Sequence, residues 1–523
     1  MRAIHPPSAR SARRARHAGA GALAAAAIAV VLVALAGAGG PVRAVPPPPG
    51  GLPSLLPAGP SPTPVPSPEP TPPPGPGELS GSRPDIVLVL LDDVARIDER
   101  VWERLPTIRR LFLRDGIRFS DYIGNDPLCC PGRAALLTGQ RTRHHGVVRN
   151  FARNFDARTT FATELKRTGY HTIYSGKYFN ETEAIRDKTP SGWAHSLLFS
   201  GSYFGTRYWR DGRSRWAGRE RDDYTTDLLG RQALRWLRSA PAEKPVLLTI
   251  APFAAHAGLD ATGVSPGYYQ PVPAPRHRGD RRCAGIRAWG PPSFNEADVS
   301  DKPAYIRAMW PVPFGGGWPL TLTCESLLSV DELLADLIDL LAREGREDVL
   351  FILTADNGMG WGMHRWTDKR VPYAIDLPLY LAWPSRFPDG APRIRTTAVN
   401  MDIAPTLCDL AGCEMGPFRN RKPVSGTSLL PLLETPGSTL DRVAIPVEHW
   451  TSRGQPPWRG VRTTDASPLG RWLYVTYRTG EREMYDLARD PWLLENLAGR
   501  TAGDRTLERV ERRLERLTRT AGR

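Results

Sequence analysis

Four short runs of apolar residues limit what this chain can become. They are Asp85-Ile86-Val87-Leu88-Val89-Leu90-Leu91, Val246-Leu247-Leu248-Thr249-Ile250, Val349-Leu350-Phe351-Ile352-Leu353 and Leu377-Pro378-Leu379-Tyr380-Leu381. A strand with one wet face needs a polar residue at every second position, so near-continuous runs like these form strands covered on both sides of a sheet. Between the second and fourth runs, Leu327, Val330, Leu334, Leu337, Ile338 and Leu341 recur at helical spacing and make one apolar stripe. Buried strands alternating with one-sided helices predict an α/β fold, a large, mixed and mostly parallel sheet sandwiched between helices. Ligands of such sheets sit beyond the carboxyl ends of the strands. Polar residues that follow the runs directly, Asp92-Asp93 and Asp356-Asn357, are therefore candidates for chemistry.

The flanking sequence has a different texture. Residues 1–44 carry a basic stretch through Arg16, an apolar run over 18–40 and small residues around Val42-Arg43-Ala44, which reads as an export signal. The alternative is a retained membrane anchor, but the run is rich in Ala and Gly and would make a weak spanning helix. The expected location is secreted or cell envelope, with the membrane as a partner only through an uncleaved N-terminus. Residues 45–82 form a Pro-rich linker that cannot bury a core. The large domain is expected over 83–435. A smaller α+β subdomain follows over 436–523, with a short antiparallel sheet around Arg471-Trp472-Leu473-Tyr474-Val475-Thr476-Tyr477. It closes on a helix whose Leu507, Val510, Leu514 and Leu517 share a face.

Charge and cysteine content narrow the function. Six arginines lie before residue 45, and removing them from the formal net charge of +14 leaves +8. That balance suits an anionic substrate, and no block of Lys or Arg interleaved with aromatics suggests a nucleic-acid groove. Six cysteines are too few for a disulfide scaffold. Cys408 can pair with Cys413, and Cys283 with Cys324, although spacing does not fix connectivity. The adjacent Cys129 and Cys130 need a different explanation. Asp92, Asp93, Asp356 and Asn357 offer hard oxygen ligands from two strand ends, which favours Ca²⁺, with Mg²⁺ as the alternative, over Zn²⁺. A plain helix cap after the first strand is the competing reading of Asp92-Asp93.

Cys129-Cys130-Pro131-Gly132-Arg133, followed by Ala134-Ala135-Leu136-Leu137-Thr138-Gly139, fits the sulfatase signature Cys-x-Pro-x-Arg. Across about 84–500 the chain resembles the formylglycine-dependent sulfatases, most nearly the branch typified by N-acetylglucosamine-6-sulfatase. Ser175-Gly176-Lys177-Tyr178-Phe179-Asn180 resembles the family's lysine motif, the segment from Pro252 to His256 its substrate-histidine segment, and Pro292-Ser293-Phe294-Asn295-Glu296 is typical of that branch. Thr354-Ala355-Asp356-Asn357-Gly358, His364-Arg365-Trp366-Thr367-Asp368-Lys369, Asn400-Met401-Asp402-Ile403-Ala404-Pro405-Thr406 and Tyr485-Asp486-Leu487 match further motifs.

The resemblance implies an alkaline-phosphatase-like fold and hydrolysis of sulfate esters, with the 6-O-sulfate of N-acetylglucosamine or related glycans as substrate. It implies that a formylglycine-generating enzyme oxidises Cys129 to 3-oxoalanine, whose hydrate joins Asp92, Asp93, Asp356 and Asn357 on the metal. One hydroxyl attacks sulfur, and the second then expels sulfate. Arg133, Lys177 and Lys369 would hold the sulfate oxygens, and His256 would protonate the departing oxygen. His364 would contact sulfate or sugar. Two positions depart from the pattern. Phe179 stands where many members have His, leaving Asn180 or His364 to serve instead, and Gly132 stands where Ser is common, which bears on recognition by the modifying enzyme. Arylsulfatase activity, phosphodiester or phosphonate ester hydrolysis on the same architecture, and non-catalytic binding of sulfated polymer are the competing functions.

Overall fold

The structure is a computed structural model that describes residues 74–521 apart from 97–98, 152, 154, 186–187, 389, 391–392, 417, 419 and 501. The export segment and most of the linker lie outside the described residues. Packing has already begun within the expected linker. Leu79 is fully buried, and the Glu434 carboxylate accepts from its N–H and from that of Gly77, both at 2.9 Å.

Nine strands make the main sheet. In chain order they are β1 (Asp85–Leu91), β2 (Ile117–Arg118), β4 (His171–Lys177), β5 (His195–Phe199), β6 (Thr206–Arg210), β7 (Arg213–Ala217), β8 (Val246–Ala251), β9 (Val349–Ala355) and β10 (Leu379–Ala382). The short pair β3 (Tyr122–Ile123) and β11 (Ala398–Val399) forms a separate two-stranded ladder. The spatial order is β2-β10-β9-β1-β8-β4-β5-β6-β7. From β9 to β5 neighbours run parallel, while β10, β2, β6 and β7 pair antiparallel at the two edges. The fourth apolar run thus becomes an antiparallel strand, and the mixed, mostly parallel sheet is as the sequence predicts. Every residue of β1, β8 and β9 is buried, so both faces of the centre are covered. The helices Thr225–Arg238 and Thr321–Arg343 pack on each other in one group, and Cys129–Thr138, Phe161–Arg167 and Ile403–Ala411 form another.

The C-terminal sheet runs antiparallel through β12 (Ala444–His449), β13 (Trp458–Thr463), β14 (Trp472–Tyr477) and β15 (Arg482–Asp486). Its residues alternate between two cores, as the two-residue period of a strand requires. Leu473, Val475, Tyr477 and Tyr485 face Met363, Trp366 and Tyr373 of the preceding region. Trp472, Tyr474 and Met484 face the other way and meet Leu507, Val510, Leu514 and Leu517 of the helix Arg505–Ala521. Disulfides join Cys283 to Cys324 and Cys408 to Cys413, and Cys129 and Cys130 are free and buried. Among the described residues no helix is long and apolar enough to cross a membrane.

Candidate active site

Four neighbouring strands, β9, β1, β8 and β4, deliver side chains to one place because their carboxyl ends are level. Leu91 of β1 pairs with Ala355 of β9, so Asp92-Asp93 and Asp356-Asn357 emerge side by side. The Asp356 N–H donates to the Leu91 carbonyl at 3.0 Å, and the Asp93 N–H donates to Asp356 Oδ1 at 3.2 Å. Lys177 is the last residue of β4, and His256 lies in the turn after β8. Cys129 opens the helix Cys129–Thr138, where unpaired N–H groups give the terminus partial positive charge. Arg133 follows one turn later on the same helix face. Gly139, at φ 66°, ends the helix in the left-handed conformation that glycine adopts without strain.

The side chains interlock. Lys177 Nζ lies 2.5 Å from Asp92 Oδ2, and Arg133 Nε donates to Asp356 Oδ2 at 2.8 Å. Lys369 Nζ pairs with Asp93 Oδ1 and also donates to Cys129 Sγ at 3.0 Å. The sulfur is 3.9 Å from Asp92 Oδ1 and 3.7 Å from Asp93 Oδ1. His256 stacks on Phe253 and sets Nε2 3.1 Å from Asp93 Oδ2, with its side chain 25% exposed. Asp92, Asp356, Asn357, Cys129 and Arg133 are completely buried, leaving His256 as the wettest member of the group.

Burial and charge act in opposite directions on these groups. Burial alone would raise Asp92 and Asp93, but Lys177 and His256 with Arg133 around the first, and His256 with Lys369 around the second, hold both carboxyls below the usual range. Asp356 goes the other way, because burial and the adjacent Asp92 charge push it up to about 6. Burial would lower Lys177 and Lys369, yet Asp92 and Asp93 keep them above the ordinary lysine value. The Cys129 thiol is pushed up to about 12 by burial, against the pull of both lysines. An unmodified Cys129 is therefore a protonated thiol at neutral pH, the unreactive form.

The donor set fits a hard divalent cation. Asp92, Asp93, Asp356 and Asn357 present oxygens, and the ligand atoms of Asp92, Asp93, Cys129 and His256 lie within 4.8 Å of one another. Asn357 donates through Nδ2 to Asp93 Oδ1 at 2.8 Å, while its buried Oδ1 accepts no hydrogen bond. An orphaned carbonyl oxygen beside three carboxylates is what an oxygen-seeking cation would satisfy.

Other expectations meet a different geometry. His364 is fully buried, but its Nδ1 lies 2.5 Å from Glu296 Oε2 and its ring packs 4.3 Å from that of Tyr373. Its N–H donates to the Ser293 carbonyl at 2.7 Å. It thus clamps the 292–296 segment through Nδ1 and its backbone, while its buried Nε2 has no hydrogen-bond partner, and burial lowers its pKa despite Glu296. Phe179 packs against Phe155 at 4.6 Å in a fully buried position, and Asn180 Oδ1 is buried without a partner. Gly132 has a packing reason: a Cβ there would lie 2.1 Å from the Asp356 carbonyl oxygen. The backbone just after β9 approaches the Cys129 helix more closely than a serine permits.

Sequence reasoning missed two supports of that helix. His449 Nδ1 lies 2.9 Å from Asp126 Oδ1, both fully buried, just ahead of Cys129. Asn400 accepts from the Asn125 N–H at 3.1 Å and donates to the Gly132 carbonyl at 3.3 Å. The partners are hundreds of residues apart, so the motif that opens at Asn400 did not show what it holds, and no local pattern pointed to His449.

A mixed, mostly parallel sheet of this order, with carboxylates and buried cationic side chains gathered at its strand ends, is an alkaline-phosphatase-like fold. Comparison with known proteins narrows the class. The family model described as Sulfatase matches residues 84–413, and that described as N-sulphoglucosamine sulphohydrolase, C-terminal, matches 362–520. The chain belongs to the sulfatase family and is a sulfuric ester hydrolase. It is 29% identical over 395 residues to N-acetylglucosamine-6-sulfatase of Homo sapiens, covering 70% of this chain and 67% of that one. It is 28% identical over 477 residues to an arylsulfatase of Volvox carteri, covering 80% and 72%. A solved structure described as bound to its substrate D-glucosamine-2-N,6-O-disulfate superposes with a TM-score of 0.66 at 22% identity, covering 84% of this chain and 98% of that one.

Proposed function

We propose that this sulfatase removes 6-O-sulfate from N-acetylglucosamine or related sulfated glycans, with Cys129 converted to 3-oxoalanine as its nucleophile. The observation that carries this reading is the convergence of Arg133, Lys177, Lys369 and His256 on the carboxylates around Cys129. Relatives named N-acetylglucosamine-6-sulfatase in Homo sapiens and N-acetylglucosamine-6-O-sulfatase in Bacteroides thetaiotaomicron support the substrate class.

Asp92, Asp93, Asp356 and Asn357 would hold the cation, Ca²⁺ in preference to Mg²⁺, which would neutralise charge and lower the pKa of the oxygen nucleophile. Residue 129, as the aldehyde hydrate, would offer one hydroxyl to attack sulfur as the sugar oxygen leaves, and a second whose proton loss would re-form the aldehyde as the C–O bond to sulfate breaks. Lys177 and Lys369 flank that residue and present ammonium groups to the sulfate oxygens, while Arg133 fixes the Asp356 end through its planar fork. His256, at the wetter edge, delivers a proton to the departing sugar oxygen. Burial lowers its proton affinity, and the sulfate charge restores it on binding.

Export through residues 1–44, a spacer within 45–82 whose end packs on the domain from Gly77 onward, a catalytic domain over 83–435 and a C-terminal subdomain over 436–523 complete the proposal. An extracellular sulfatase homolog of Drosophila melanogaster, 27% identical over 373 residues, is consistent with a secreted or cell-envelope enzyme. Steady-state hydrolysis of N-acetylglucosamine-6-sulfate, an aryl sulfate and a phosphodiester, with mass spectrometry of the residue-129 peptide after co-expression with a formylglycine-generating enzyme, tests it. Fastest turnover of the sulfated sugar by protein carrying the aldehyde is the expected result. Faster phosphodiester cleavage, or full activity of Cys129→Ala, would refute it.

A further inference from the structure

A second polar cavity, of about 840 Å³, lies between the β2–β10 edge of the main sheet and the C-terminal sheet. It shares no lining residue with the carboxylate site. The two are joined by one stretch of chain: Lys369 reaches the carboxylates, while Met363, Tyr373 and Asp376 wall the cavity.

Its charge is unbalanced. Six arginines line it, Arg96, Arg118, Arg393, Arg395, Arg462 and Arg471, against three aspartates, an excess of three positive charges. Among the described residues no lysine, histidine or glutamate contributes to the lining. The aspartates are already committed. Asp121 is shared by Arg462 and by Arg471, the latter at 2.8 Å, and Asp376 pairs with Arg462 at 3.0 Å. Asp465 lies 3.6 Å from Arg471.

Even so, the guanidinium groups are not saturated. Arg462 Nε is buried and has no hydrogen-bond acceptor, and Arg471 Nε, also buried, has only the Asp465 carboxylate at 3.6 Å, beyond hydrogen-bond distance. A desolvated N–H without an acceptor is unfavourable, and its presence in a cationic cavity calls for an anionic oxygen. The remaining walls are apolar. Trp289 and Trp492 stand edge to face at 6.5 Å and are each half-buried, so part of each ring is open to a ligand.

We propose that this cavity is a second binding site for a sulfated saccharide. It engages a segment of the polymer other than the one undergoing hydrolysis. Guanidinium forks match the oxygens of sulfate or carboxylate groups pairwise, and indole faces suit the apolar faces of sugar rings. The volume falls within the range of small-ligand sites. The proposal rests on the reading that the substrate is a sulfated glycan, and it adds a grip on long chains that single sugars do not feel.

Calorimetric binding of a heparin-derived hexasaccharide to the full chain, wild type against the double variant Arg96→Glu, Arg395→Glu, tests it. Both arginines belong to the exposed part of the lining, and unchanged thermal unfolding verifies that the variant is folded. Affinity should fall by roughly tenfold or more, as loss of close charge pairs does, while turnover of an aryl sulfate stays at the wild-type rate. Trp492→Ala should weaken the hexasaccharide alone and by less. Unchanged hexasaccharide affinity in the double variant, or inorganic sulfate binding as tightly as the hexasaccharide, would overturn the proposal. If the hexasaccharide binds at the cavity but the wild type releases no sulfate from N-acetylglucosamine-6-sulfate, the substrate reading fails and the cavity assignment stands.

Discussion

Two buried polar clusters in this protein are built on opposite terms. Around Glu483 of the C-terminal sheet, one fully buried carboxylate accepts from three tyrosine hydroxyls, those of Tyr373, Tyr477 and Tyr485, the last at 2.7 Å. Neither the carboxylate nor those hydroxyls is left without a partner. At the strand ends of the main sheet, three carboxylates meet two lysines and an arginine, yet Asn357 Oδ1 and Arg133 Nη2 form no hydrogen bond. The first cluster is complete and holds two layers together. The second is incomplete by design of its ligand set, and incompleteness of a buried polar group marks where a cation and an anion are expected to enter.

The comparison can be broken most forcefully at Lys369. Lys369→Ala should lower kcat/KM on a sulfated sugar by about 10²–10³-fold, the loss expected on removing one preorganised charge donor, with little change in unfolding temperature. Steady-state kinetics alongside calorimetry decide it, and a stability loss without a kinetic one would place Lys369 in the structural class. Glu483→Ala should do the reverse. Leaving the buried Tyr373 and Tyr485 hydroxyls without an acceptor, while Tyr477 keeps Tyr305 at 3.0 Å, should remove about 3 kcal/mol of stability, read from denaturant unfolding, while turnover at low temperature persists.

Cation titration sharpens the contrast. Ca²⁺ at a hundredfold excess over its Kd should add about 2.7 kcal/mol to the stability of chelator-treated protein. The same increment is expected in Glu483→Ala, whereas Asp356→Asn should show a much smaller one. The smallest effect is a pH slope. Burial raises the Glu483 carboxyl, even though its tyrosine partners pull it down. The folded state then binds that proton more tightly than the unfolded chain does. Stability should therefore fall as pH rises from the ordinary carboxylate range through the folded value, and Glu483→Gln should flatten that part of the profile.

Much of the candidate site was legible because each member sits in a local pattern. Asp92-Asp93 and Asp356-Asn357 directly follow apolar runs, Lys177 ends one strand, and Arg133 follows Cys129 by one helical turn. Local pattern says less about what surrounds a side chain. Closeness in sequence to Asp356 suggested contact with substrate for His364, and it did not show that Nδ1 meets Glu296 while Nε2 stays buried and unpartnered. Gly132 is a second case. In sequence it looks like a weakened modification motif, and in the structure it is the point where the Asp356 carbonyl comes too close for a side chain. The arginine cavity had no linear signature at all, since its members come from segments spread over 96–471 and the intervening residues are unremarkable in composition.

By itself the sequence determined the strand-and-helix alternation, the fold class and the residue types that emerge at the strand ends, because burial on both faces and helical spacing are properties of neighbouring residues. Only the tertiary structure decided which of those residues meet, which polar atoms are satisfied and where unbalanced charge collects. Those outcomes depend on distances between segments far apart in the chain. Such distances are set by the packing of whole layers, and no local pattern encodes them.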